Sequence, residues 1–238
     1  MNEISNVTVT PLKESSDFVK PYRMSYVQGN RNKTWDLVIQ KSSVAVIIYN
    51  KSIDKLILVK QFRPSVYATV LHKNLLSDVN SSRSDGVKGI TLELCAGIVD
   101  KADKTPKEIA KAEVLEECGF DVPLHHFEHV LTFLSGVGIS GSNMNLFYTE
   151  VTDQMRISSG GGLECEGEMI DVIEMTPSEA ESYLKCEIVK SPMFTIYGLS
   201  WFLKNKRGST KNGLATLIKV SLIGVVAYIM GMIWSNRK

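Results

Sequence analysis

The sequence predicts an α/β (α+β) fold, with a mixed β-sheet sandwiched between helices, followed by a C-terminal transmembrane helix. Three observations lead there. Short runs of β-type composition recur between turn residues, with few helices interspersed. One helix, at 105–118, is marked at both of its ends. A final apolar run, 214–234, is longer and more uniform than a domain core requires.

Composition narrows the classes. The chain has 238 residues, of which 44% are hydrophobic and 22% charged. That is ordinary globular composition, unlike a mainly disordered, collagen-like or multi-pass membrane chain. The formal net charge of +1 hides an asymmetry. Residues 204–238 hold seven basic residues and no acidic one, so residues 1–203 carry −6. A mildly acidic body argues against a nucleic-acid partner. The four cysteines form no CxxC pair, and the polar N-terminal stretch has no apolar core of a secretory signal. Both features suggest free thiols in a reducing compartment.

In chain order, β-type composition marks strands at 22–27, 35–40 and 43–49. Asn50-Lys51-Ser52 reads as a turn, which makes 43–49 and 55–61 a hairpin. The Ser-, Asn- and Asp-rich stretch 71–89 reads as a long surface loop, and 90–95 as the next strand. The helix 105–118 has Thr105 as N-cap, Pro106 at its first position and Glu108 three residues after the cap, a capping box. Gly119 supplies the left-handed stop. Strands at 129–135 and 145–151 flank a Gly-rich turn. Residues 158–162 read as a flexible Gly/Ser loop, 170–174 as a strand, and Thr176-Pro177 as the start of a helix through Leu184. A last helix is expected at 194–203.

Glu113, Glu116 and Glu117 lie on the capped helix within an arc of roughly 100°. Like charges so close repel, and helix formation gives no reason to gather them. They form either a solvated acidic face or the oxygen ligands of a divalent cation such as Mg²⁺, which leaves positions open for substrate phosphates. His125, His126 and His129 spell HHxxH, but no Cys is near them in sequence, and zinc is not the favoured reading.

The segment 97–120 resembles the Nudix box: Gly, five residues, Glu, seven residues, then Arg-Glu-apolar-X-Glu-Glu-X-Gly-apolar. Here it ends Ala112-Glu113-Val114-Leu115-Glu116-Glu117-Cys118-Gly119-Phe120. The loop carries one extra residue, Lys104 stands at the box's first Glu, and Ala112 stands at its Arg, with Lys111 adjacent as a partial substitute. Further stretches at 33–36, 59–67, 93–97, 135–138, 147–153 and 198–203 look like the UDP-sugar diphosphatase (UDP-glucose pyrophosphatase) branch, which is related to ADP-ribose diphosphatases. The likeness covers roughly residues 5–205.

The resemblance implies a Nudix fold over 1–208 and Mg²⁺- or Mn²⁺-dependent hydrolysis of a nucleotide sugar, UDP-glucose giving UMP and glucose 1-phosphate. ADP-ribose hydrolysis, or a catalytically weak membrane-tethered sensor of nucleotide sugars, is the alternative. It implies Glu113, Glu116, Glu117 and the Ala96 carbonyl as metal ligands, and Arg63 as a substrate contact. Either Glu166 or Glu168, on the acidic loop 160–168, is the implied general base, with Glu166 favoured. Trp35 stacks on a base or packs at an interface, and the strands at 20–49 make a homodimer.

The run 214–234 has 21 residues with one charge, Lys219. As a helix it spans about 31 Å, the thickness of a bilayer core. Lys219 is placed to snorkel, and Trp234 to anchor at the interface. The expectation is a single-pass tail anchor, with 209–213 ending a basic tether, 235–238 as a tail, and the body on the cytoplasmic face of a membrane.

Overall fold

The computed structural model describes Ile4, 7–14, Ser16, 19–75 and 89–207, apart from the side chains of 70–75 and of Glu166. The expected anchor at 214–234, the end of the tether and the tail lie outside the described residues. So does 76–88, most of the expected long loop. Among the described residues no helix is long and apolar enough to cross a membrane.

Two antiparallel strands, β1 (Pro21–Gln28) and β2 (Arg31–Val38), form a separate ribbon around a two-residue turn. β2 starts four residues earlier than expected. Its polar first half, Arg31–Thr34, gives no apolar alternation, and the ladder from Gln28↔Arg31 onwards determines its start. Both strands are largely exposed, and an Arg23–Asp36 ion pair at 2.7 Å crosses the ladder.

Seven strands make the main sheet: β3 (Ser43–Asn50), β4 (Lys55–Phe62), β5 (Ile90–Glu93), β6 (Cys95–Ile98), β7 (Glu128–Ser135), β8 (Ser142–Val151) and β9 (Ile170–Met175). β3 pairs with β8 in parallel along its whole length, so the sheet is mixed as expected. β3 and β4 pair only at Ile48–Asn50 and then separate. The chain from 90 to 98 fills the opening. β5 runs in along β4, the backbone turns at Leu94, and β6 runs out along β3. The single strand expected at 90–95 is therefore two, because each half has a different partner.

Helices cover both faces of the sheet. On one face α2 (Pro106–Cys118) packs Ile109, Ala110, Val114 and Cys118 against Val44, Val46, Ile48 and Phe147. On the other, Gly198 lies against Ile47 and Leu94, and the Thr195 hydroxyl accepts the Leu94 N–H at 3.0 Å. This explains why Val44–Ile48 are fully buried as a continuous apolar run, not alternately. α2 begins with the expected capping box at Thr105 and Glu108 and ends at Gly119 with φ 79°.

A helix absent from the sequence reading, α1 (Pro64–Leu75), follows β4 directly. Pro64 suits a first helical position, but Val66, Thr69 and Val70 are weak helix formers and masked the signal. α3 (Pro177–Tyr183) carries a second capping box, Thr176 with Glu179. α4 (Met193–Phe202) runs into a second compact unit that begins at Leu199. In that unit's described part a π-helical turn covers Leu203–Arg207, and Lys206 lies over the Trp201 ring.

The loop expected to be flexible, 158–162, is docked on the end of α2. The N–H groups of Gly161 and Gly162 donate to the Glu117 and Glu116 carbonyls at 2.9 and 3.2 Å. These are carbonyls that a helix end otherwise leaves unpaired. Gly160 has φ +70°, and a Cβ there would overlap the Glu117 carbonyl, so glycine is required for this approach.

Candidate active site

The end of α2 faces the wedge formed by β5 and β6 across a cleft of about 390 Å³. Glu113, Glu116, Glu117, Ala96, Arg63 and Glu168 all line it. Six of the eight residues singled out from sequence thus converge from four parts of the chain. Glu117 is buried, and its Oε2 accepts the Ala96 N–H at 3.0 Å. Glu113 reaches past Gly97, where a Cβ would overlap its carboxyl group, so a side chain at 97 would push Glu113 from this position.

Burial pushes the Glu117 carboxyl up to about 8, and the negative charges of Glu113 and Glu168 add to the rise; hydrogen bonds from Cys95 and Ala96 oppose it. Burial, then Glu116 and Glu168, push Glu113 up to about 7, while Lys101 opposes the rise. The carboxylates are therefore short of positive charge.

Lys111 does not supply that charge, because its Nζ pairs with Asp121 at 2.9 Å. Nor does Ala112. Lys101, in the lengthened loop before α2, lines the cleft instead. Nothing in the sequence singled it out, since its placement depends on how the loop folds.

Glu93 was missed as well, although it stands in the quoted stretch 93–97. The available signal was a charged residue within a short run of β-type composition, Ile90-Thr91-Leu92-Glu93-Leu94. It is 1% exposed and holds Arg63 through two bonds, Nε to Oε1 at 2.8 Å and Nη2 to Oε2 at 2.7 Å. This pair lifts the Arg63 guanidinium further above its ordinary range.

On the acidic loop, Glu168 folds back and accepts the Leu163 N–H at 2.9 Å. Glu166 ends a short helical turn, Glu164–Glu166, and its side chain is outside the described residues. Trp35 does not line the cleft. It lies on the β1–β2 ribbon, half exposed, with its indole N–H donating to the Gly138 carbonyl at 3.0 Å. The Val38 N–H, bonded to the Ile139 carbonyl, ties the ribbon to that same turn. His125 and His126 stack edge-on, while His129 bonds to Thr132, so the HHxxH pattern does not converge.

The cleft's donor set is hard oxygen, which fits Mg²⁺ or Mn²⁺ and not a thiol- or imidazole-preferring ion. Among the described residues no three His, Cys, Asp or Glu side chains close into a ready-made cage. Mg²⁺ needs none, since it keeps several waters and takes one or two carboxylates with substrate phosphates.

The stability of the metal-free protein should depend on pH in a defined direction. Glu113 and Glu117 titrate in the fold near 7 and 8, against 4.5 for an ordinary glutamate. Their contribution is complete below the ordinary value and is lost as pH rises through the folded values. Tm without divalent ions is expected to fall between about pH 4.5 and about pH 8, and saturating Mg²⁺ or Mn²⁺ should offset the fall. A metal-free Tm that is flat over that range would contradict the charge shortage.

No family model matches the chain. The uridine diphosphate glucose pyrophosphatase NUDT14 of Mus musculus is 35% identical over 212 residues, covering 85% of this chain and 95% of that protein. The Bos taurus protein of the same name is 35% identical over 198 residues, covering 79% and 89%. A GDP-mannose pyrophosphatase of Cronobacter sakazakii is 27% identical over 187 residues, covering 79% and 81%. With this likeness along most of the chain, and the box glutamates gathered in one cleft, the chain belongs to the Nudix hydrolases, the family of these sugar-nucleotide pyrophosphatases.

Proposed function

We propose that the protein hydrolyses the diphosphate of a nucleotide sugar, with UDP-glucose as the substrate and UMP and glucose 1-phosphate as the products. The observation that carries this is the convergence of Glu113, Glu116, Glu117, Glu168 and Arg63 on one cleft. The choice of UDP-glucose rests on the two relatives that bear that name.

Glu113, Glu116, Glu117 and the Ala96 carbonyl are the proposed holders of Mg²⁺ or Mn²⁺. When bound, such an ion neutralises the diphosphate and lowers the pKa of a water molecule. Arg63 offers its remaining N–H groups to the phosphates, a contact that suits a guanidinium fork. Glu168 takes the proton of the attacking water as a new P–O bond forms and the bridging P–O bond breaks. Its place in the cleft lining supports this role, while the side chain of Glu166, the residue favoured from sequence, lies outside the described residues. Lys101 adds positive charge beside the diphosphate.

With Mg²⁺ and a panel of UDP-glucose, GDP-mannose and ADP-ribose, UDP-glucose should give the highest kcat/KM. Glu117→Gln should lower kcat by about 10²–10³-fold, and Glu168→Gln by about 10²–10⁴-fold with metal binding kept. A fully active Glu117→Gln protein would refute the metal assignment. Damage from Glu166→Gln alone would move the base to Glu166.

We also propose a homodimer through the β1–β2 ribbon. Its support is a set of large apolar side chains left exposed there: Tyr22, Met24 and Trp35 on one face of the ribbon and, just beyond, Ile39. Such a patch is unusual on a monomer surface. Sedimentation is expected to give twice the chain mass, and Trp35→Glu with Met24→Glu should halve it. A wild-type monomer at micromolar concentration rules the dimer out.

The run 214–234 is proposed as a single transmembrane helix with the hydrolase body on the cytoplasmic face. The support is its length, its single charge and the heavier basic flank on the N-terminal side. Full-length protein should remain in the membrane pellet through alkaline carbonate extraction. Release into the supernatant would replace the span by a peripheral helix.

A further inference from the structure

The Arg63–Glu93 pair is more than a surface ion pair. Glu93 is 1% exposed, and both of its oxygens are engaged: Arg63 on each, and the Thr91 hydroxyl on Oε1 at 2.6 Å. Thr91 is itself buried. An ion pair whose carboxylate is buried, even with its arginine partly exposed, is a poor device for stability alone, because desolvation offsets much of its attraction. What a two-point grip does provide is a fixed plane for the guanidinium.

Arg63 has two other places to go. Its charge already acts on Glu117 and Glu168 across the cleft. Arg63 also lines a second pocket, of about 710 Å³. Released from Glu93, the guanidinium would move toward the carboxylates gathered in the cleft that it already lines, where it would compete with a divalent cation. A cation built into the chain has a high effective concentration and would be a strong competitor.

We propose that Glu93 is a positioning residue that keeps Arg63 off the metal-binding glutamates and directs it toward the substrate phosphates. This rests on the cleft being the divalent-metal site of a diphosphatase. Glu93 touches neither substrate nor metal in this role. It acts through Arg63, with Thr91 holding the carboxylate from behind.

Mn²⁺ binding to the full-length protein, followed by electron paramagnetic resonance, separates this from a structural role. Glu93→Gln removes the charge and keeps the shape. It should raise the Mn²⁺ Kd roughly tenfold, in the range seen when groups behind metal ligands are lost, and raise KM for UDP-glucose. The double variant Glu93→Gln with Arg63→Ala should return the Mn²⁺ Kd to within about twofold of wild type, because the competing cation is gone. If the double variant binds Mn²⁺ no better than Glu93→Gln, or if Glu93→Gln binds it as wild type does, the proposal is overturned. Should Glu93→Gln fail to fold, Thr91→Val loosens the grip more gently. It should weaken Mn²⁺ binding in the same direction, and Arg63→Ala should again reverse the loss. A wild type that cleaves no nucleotide sugar would defeat the functional reading, while the Mn²⁺ comparison would still decide the role of Glu93.

Discussion

Carboxylates forced together in a half-buried cleft set the terms for everything near them. Glu113 and Glu117 are both pushed into the neutral range, chiefly by burial and further by their acidic neighbours. Such a cluster does not form for stability's sake. It is held by covalent spacing on one helix, by the Ala96 N–H at one carboxyl group, and by the absence of a side chain at Gly97. In the proposed function a hard cation and a diphosphate would complete the charge balance of this cluster.

Two pieces of irregular backbone make that arrangement rigid. The wedge from 90 to 98 exists because β3 and β4 separate, and its turn at Leu94 places Glu93 and Ala96 on successive arms. The glycine loop 160–162 closes the C-terminal end of α2 by donating to its last carbonyls. It then leads directly into Glu168, whose carboxylate accepts the Leu163 N–H. The loop that carries the proposed base is thereby anchored to the helix that carries the proposed metal ligands. Positioning at the level of tenths of an ångström follows more readily from such a tie than from a free hinge.

Local signals were legible in the sequence. Thr105, Pro106, Glu108 and Gly119 act within one or two turns of the helix they bound, and spacing alone gathers Glu113, Glu116 and Glu117 on one face. The quoted stretch 93–97 and Arg63 also fell where the cleft is. Features that depend on distant partners were not legible. The split of 90–95 into two strands requires β3 on one side and β4 on the other. Lys111 sits beside the box yet pairs with Asp121, while Lys101, ten residues earlier, reaches the cleft. Trp35 reads from sequence as stacking on a base or packing at an interface, and nothing in the sequence shows that the ribbon sets its indole N–H on the Gly138 carbonyl. The hydrogen bonds that turn 158–162 from a loose linker into a helix cap are likewise invisible in composition.

Anomalous diffraction at the manganese edge, from crystals grown with Mn²⁺ and UMP, tests the central claim most directly. The account predicts an anomalous peak in the cleft within bonding distance of Glu117 and at least one further ligand among Glu113, Glu116 and the Ala96 carbonyl. A cleft without such a peak in crystals whose manganese binds elsewhere would contradict it.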